Sequence, residues 1–309
     1  MLKKLVIVFL VIVVLACLTF IAARNSDLKP AYKPGKIAVI YVDGVIMNGR
    51  GQSSLLGERG GTDNIIRQLH DALADETIKA IVLRINSPGG SVTATQEVGE
   101  EIKKVRAAGK IVVASMGDIA ASGGYWLAVT TDRIYANPTT LTGSIGVYMP
   151  YANWQELLQK IGIQQEKIKS GAHKDILSPD RPITDEERKM IQTIVDQMYE
   201  QFVDIVADGR KMDRQAVHQL ADGRIYTGIQ AKELGLVDDF GNLYDAIDGA
   251  AKMAGIRGKP QIKEYDKGSP LSLFFGANEK IDLSMFFPTQ LRQALPTITP
   301  LAMPVRWGE

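Results

Sequence analysis

A chain of 309 residues carrying 36 Lys and Arg against 35 Asp and Glu has a formal net charge of +1, which gives no reason to expect nucleic acid as a partner. Its length suits one large domain or two small ones, and its 45% hydrophobic content is enough for a sizeable core. The lone cysteine, Cys17, excludes a disulfide within the chain, so packing alone must hold the fold.

Leu5 to Ala23 contains no charged residue and is dominated by Val, Ile, Leu and Ala. At ~1.5 Å per residue, a helix over this run nearly spans the ~30 Å hydrocarbon layer of a membrane. Lys3 and Lys4 precede it, and the positive-inside rule keeps them in the cytoplasm. Residues 1–24 are therefore expected to form a single-pass transmembrane signal-anchor in the plasma membrane, with the remainder on its extracytoplasmic side. Residues 25–35, with Pro30 and Pro34, read as a linker. Two other readings compete. A Leu5–Leu15 core followed by small residues would suit a cleaved signal. Val14-Leu15-Ala16-Cys17 resembles a lipobox, which would place a lipid on Cys17. The apolar run continues through Leu18, Phe20 and Ile21, and this favours the anchor.

Lys36–Asp43 is an apolar run ended by Gly44, the pattern of a strand buried on both faces. Gly49 to Gly61 is polar and Gly-rich, a loop. Thr62–Asp75 places Ile65, Ile66, Leu69 and Leu73 at helical spacing, with Thr62 or Asp63 as N-cap. Ile78–Ile85 reads as a strand, Ser91–Ala108 as a helix, Lys110–Met116 and Asp132–Ala136 as strands. This alternation argues an α/β domain with a mainly parallel sheet flanked by helices. Thr184 and Glu187 form a capping-box pattern that starts a long helix, for which Gly209 supplies a stop. Its Met190, Ile194, Met198, Phe202 and Ile205 make an apolar stripe for core or subunit packing. Asp213–Ala221, Ile229–Leu234 and Asn242–Ala254 read as shorter helices. Beyond Lys267 the chain is rich in Leu, Phe and Pro with weak periodicity, a tail over residues 267–309.

The chemistry concentrates in a few segments. Ala121-Ser122-Gly123-Gly124-Tyr125 puts a serine among small residues at a strand-to-helix junction, where its hydroxyl can be exposed. A serine hydroxyl needs a base. His70 and His218 sit on helices among polar neighbours and read as solvated. Lysine serves as a base when burial or neighbouring positive charge lowers its pKa from ~10.4 towards neutrality. Lys174 follows the small residues Ser170-Gly171-Ala172, which suit close packing. Asn86-Ser87-Pro88-Gly89-Gly90 directly follows a strand, at the end of the sheet where α/β proteins bind ligands, and Gly89 can aim its N–H at a substrate oxygen. Tyr125, Trp126 and Val147 could border a side-chain pocket or lie in the core. The single cysteine and the scattered histidines make no metal cluster, and no glycine fingerprint for phosphate is convincing.

The segments Asn86–Gly90, Ala121–Tyr125, Leu141-Thr142-Gly143-Ser144-Ile145-Gly146-Val147 and Ser170–Asp175 together resemble bacterial signal peptide peptidase A in its short, single-domain form. The likeness runs from Lys36 to Tyr265 in the same order. It implies a Clp-protease/crotonase-like fold over a peptidase domain at residues 36–266, with no cofactor. It further implies Ser122 as nucleophile, Lys174 as general base, Gly89 and Gly123 as oxyanion-hole donors, and Ser144 as the residue orienting the lysine. The implied substrates are remnant signal peptides and other short apolar peptides. The implied assembly is a ring-like homo-oligomer, an octamer in this family, with the dyad completed between neighbouring subunits. A crotonase-type acyl-CoA enzyme and a non-catalytic membrane scaffold of the same fold are the alternatives.

Overall fold

The computed structural model describes residues 12–17, 35–49, 52–54, 57–59 and 61–265. Residues 12–17 are helical with exposed side chains, Cys17 among them. The expectations for residues 1–11 and 18–34, which hold most of the anchor and the linker, and for the tail from residue 266 lie outside the described residues. Among the described residues no helix is long and apolar enough to cross a membrane.

Six parallel strands run in the order β10-β1-β4-β5-β6-β9. They are β1 (Lys36–Asp43), β4 (Ile78–Ser87), β5 (Ile111–Ala121), β6 (Arg133–Ala136), β9 (Asp239–Phe240) and β10 (Gln261–Glu264). A short pair completes the sheet: β7 (Leu141–Gly143) lies parallel to the far half of β5, and β8 (Ile225–Thr227) lies antiparallel to β7. A separate antiparallel pair, β2 (Gln52–Ser54) and β3 (Gly57–Arg59), occupies part of the Gly-rich stretch read as loop.

The central strands are continuous apolar runs because both faces are covered. Ala38, Ile40 and Val42 of β1 face one core, which holds residues of α1 (Thr62–Ala74), α2 (Val92–Ala107) and α3 (Gly123–Val129). Ile37 and Val39 face a second core, against Ala246, Ile247, Ala250 and Ala251 of α8 (Leu243–Met253). The remaining helices are α4 (Gln155–Lys160), α5 (Asp185–Arg210), α6 (Arg214–Leu220) and α7 (Gly228–Glu233).

Three expectations need correction. The N-cap of α1 is Gly61, without a side-chain cap, rather than Thr62 or Asp63. Thr62 is instead the first helical residue, buried, with its hydroxyl donating to the Asn48 carboxamide oxygen at 3.5 Å. Gly209 does not stop α5, because Lys211 takes the left-handed C-cap conformation (φ 54°, ψ 41°). Gly209 is instead a close-packing site: a Cβ there would lie 2.2 Å from the Val129 carbonyl oxygen of α3. The stripe of α5 is split as well. Phe202 packs on Trp126 with ring centroids 5.0 Å apart, whereas Met190 and Ile194 in the first half are 43% and 40% exposed.

Strand β5 positions the site. Its first half pairs with β4 and β6, and its second half with β7. A register shift between Ile85 and Ser87 lets the strand bend, and the Asn86 carboxamide oxygen satisfies the backbone there by accepting from Asp118 N–H at 3.1 Å and Ile119 N–H at 3.2 Å. β4 and β5 therefore release Ser87–Gly90 and Ser122 at the same carboxyl edge of the sheet.

Candidate active site

Ser122 stands between the end of β5 and the start of α3 with φ 53° and ψ −120°. A non-glycine residue at positive φ costs ~1–3 kcal/mol, so surrounding structure must impose it. The Ser122 N–H donates to the Gly143 carbonyl at 2.8 Å, and the Ser122 carbonyl accepts from Trp126 N–H at 2.9 Å. Both bonds fix the backbone, and the side chain makes no capping bond. Ser122 instead lines a cavity of about 620 Å³. A sharp, strained strand-to-helix turn is the way α/β hydrolases present a nucleophilic serine.

The Pro88–Gly90 turn closes one side of the cavity. Gly89 has φ 100°, and a Cβ there would fall 2.7 Å from the Gly123 nitrogen and 2.8 Å from Ser122 Cβ, so only glycine allows this contact. The Gly89 N–H donates to Ser87 Oγ at 3.1 Å and can reach an oxyanion only by sharing or exchanging that bond. The Gly123 N–H, the first of α3, has no intrahelical acceptor and no partner among the described residues. Ser144, at φ 50°, lines the same cavity, its N–H donating to the Arg224 carbonyl at 2.8 Å.

Lys174 is not brought to this cavity within the chain. It lies in the exposed turn 170–176, and it is absent from the cavity lining. Among the described residues its ammonium has no hydrogen bond or ion pair. The backbone beside it is nevertheless tightly held. Asp175 accepts a two-pronged bond from Arg181 (2.8 and 2.9 Å) and another from Lys169 (2.6 Å). Arg181 also grips Glu187 at 2.6 and 2.8 Å, and Glu187 closes the capping box with Thr184 at the start of α5. The hydrogen bonds from Arg181, then from Lys169, hold the Asp175 carboxyl well below the usual range. Arg181 and the Thr184 N–H bring Glu187 down to about 2. Hydrogen bonds to Glu187 and Asp175 push the Arg181 guanidinium upward in turn.

Of Tyr125, Trp126 and Val147, only Val147 lines the cavity. Tyr125 and Trp126 are core, and the Tyr125 hydroxyl donates to the Leu236 carbonyl at 2.9 Å. The cavity has a wall that sequence reasoning missed: Tyr199 on α5 and the turn Ala221–Gly223 after α6. His218, read as an ordinary solvated residue, lies 3.1 Å from the Tyr199 hydroxyl through Nδ1. Nothing in the local pattern marks this pair, since the two residues come from different helices.

The model of peptidase family S49 matches residues 104–257, which contain Ser122, Ser144 and Lys174. A provisionally named protease of Methanocaldococcus jannaschii is 31% identical over 88% of this chain and 89% of its own. The chain belongs to peptidase family S49. The S49 chain is also 41% identical to Protease 4 of Salmonella typhi over 74% of its length, and 41% identical to a provisionally named signal peptide peptidase SppA of Enterococcus faecium over 70%. These matches cover 36% and 63% of those two relatives, so the S49 chain spans a third to two thirds of their length.

Proposed function

We propose that this chain is a membrane-anchored serine endopeptidase in which Ser122 and Lys174 form a catalytic dyad. Its substrates are remnant signal peptides and other short apolar peptides on the extracytoplasmic side of the plasma membrane. The observation that carries the reading is Ser122, held at positive φ in a cavity beside the Gly123 N–H, its hydroxyl and that N–H both without partners among the described residues.

In the proposed cycle, neutral Lys174 takes the proton from Ser122 Oγ as the oxygen attacks the scissile carbonyl. The Gly123 N–H, joined by the Gly89 N–H once it leaves Ser87, holds the tetrahedral oxyanion. The protonated lysine then gives its proton to the leaving amine. Water, deprotonated by the same lysine, attacks the acyl-enzyme and releases the acid. Ser144 orients the lysine. A lysine acts this way only when desolvated, and the exposure of Lys174 supports its delivery to Ser122 by a neighbouring copy in a homo-oligomer.

The test is cleavage of a fluorogenic leucine-rich peptide by wild-type protein, Ser122→Ala and Lys174→Ala. Each variant is expected to lose at least about 10⁴-fold in kcat. Turnover that survives Ser122→Ala would favour an acyl-CoA type of chemistry on this fold.

A further inference from the structure

We propose that Tyr199 is the specificity residue of the Ser122 cavity, that its ring limits the size of the side chain accepted there, and that His218 is the positioning residue that holds it. The inference rests on the peptidase reading and names the substrate class within it.

Two tyrosines line the cavity, and they differ in freedom. Tyr148 is 86% exposed, a rim residue that can swing aside. Tyr199 is half-buried and packs against the main core, so it cannot. Its hydroxyl meets His218 Nδ1 at 3.1 Å, and its ring stands 5.6 Å from the imidazole. On its other side His218 approaches Glu200 at 3.4 Å, and Glu200 is also held by Arg214, one turn earlier on α6. Tyr199 and Glu200 of α5 are thereby clamped to α6 by three contacts, two of them to His218 and one to Arg214.

The clamp is tied to the nucleophile. Ser122 is bonded to Gly143, Ser144 to Arg224, and the Gly223 N–H to the Ile145 carbonyl at 3.1 Å. The chain then passes through Ala221, whose N–H bonds back to the His218 carbonyl at 3.3 Å. Backbone and these hydrogen bonds together link the serine to the wall. Beside Tyr199 this part of the lining holds only the shorter side chains of Val147, Ala221 and Asp222 and the bare Gly223, so the ring is its largest fixed member. The volume open to a side chain is therefore set by the tyrosine ring, and the ring by the histidine.

The experiment uses the full-length protein and three fluorogenic peptides that differ only in Ala, Leu or Phe before the scissile bond. Tyr199→Ala should raise the Phe-to-Leu ratio of kcat/KM by about tenfold or more, the scale on which pockets discriminate size. Tyr199→Phe keeps the ring but cuts its tie to His218, and should raise that ratio by less than Tyr199→Ala and about as much as His218→Ala, as expected for loss of a single hydroxyl contact. His218→Ala should raise the ratio in the wild-type background, and more weakly in the Tyr199→Phe background, because its lever is the hydroxyl. All three peptides falling in parallel in every variant, at an unchanged ratio, overturns the inference and leaves the peptidase reading intact. Cleavage that persists in Ser122→Ala overturns both.

Discussion

At the scale of single residues, the site is an arrangement of backbone more than of side chains. Ser122 is held by its own N–H and carbonyl, and Gly89 packs against it where no Cβ fits. Gly89→Ala should therefore lower kcat/KM by about 10²–10³, the cost of losing one oxyanion donor, with little change in the far-ultraviolet circular dichroism. Unchanged kinetics would show that the turn relaxes without moving Ser122. The Gly-Gly and Ser-Gly-Gly patterns were legible because these positions demand residues without side chains. The Asn86 contribution was not, since its bonds to Asp118 and Ile119 depend on a register shift that only strand pairing reveals. The Tyr199–His218 contact was hidden for a similar reason: a histidine among polar neighbours is indistinguishable in sequence from a solvated one.

At the scale of elements, α5 has two environments. Its second half is anchored by Phe202, Val203 and Val206 in the core and by Gly209 against α3. Exchanging a helical glycine for alanine ordinarily gains ~1 kcal/mol. At Gly209 the methyl group would meet the Val129 carbonyl at 2.2 Å, and the overpacking cost of ~1–3 kcal/mol should outweigh that gain. Urea unfolding of Gly209→Ala should show a net loss of stability. The first half of α5 is fastened by Glu187, whose carboxyl is lowered from 4.5 to about 2. A depressed carboxylate stabilises fully above its unfolded value and loses that contribution as pH falls through the folded value. The segment carrying Lys174 should accordingly loosen between about pH 4.5 and about 2, and limited proteolysis by pepsin in that window should cut within residues 170–183. Glu187→Gln should be cut there already at higher pH. The capping box at Thr184 and the central strands were legible, because caps and apolar runs are local signals. The strands β7 to β10 were not: each is two to four residues long and exists only through its partner.

At the scale of the whole molecule, the two halves of the proposed dyad are presented differently, the serine in a cavity and the lysine on an exposed turn. Ile161, Ile163 and Ile168, in the segment leading to that turn, are 59%, 47% and 107% exposed. If a neighbour completes the site, co-assembled Ser122→Ala and Lys174→Ala chains should recover activity that neither has alone. Random pairing in a closed ring gives an intact site about one time in four, so equal mixing should restore about a quarter of wild-type turnover. No recovery in verified mixed assemblies would require the lysine to act within its own chain. The family motifs suggested the proposed roles, whereas a contact between copies of the kind proposed is not written in the order of residues along one chain.

Two borders of the described sheet are β9, two residues long, where Asp239 is paired with Arg133, and β10, four residues long, with Lys263 paired to Asp75. Short, charged borders are poor templates for another extended chain. A peptidase of the proposed kind would run the hazard of being plated by its sticky substrates, seeding fibrils along its own flanks. At these two margins there is little to copy, so substrates of the proposed kind would not be recruited into the sheet there.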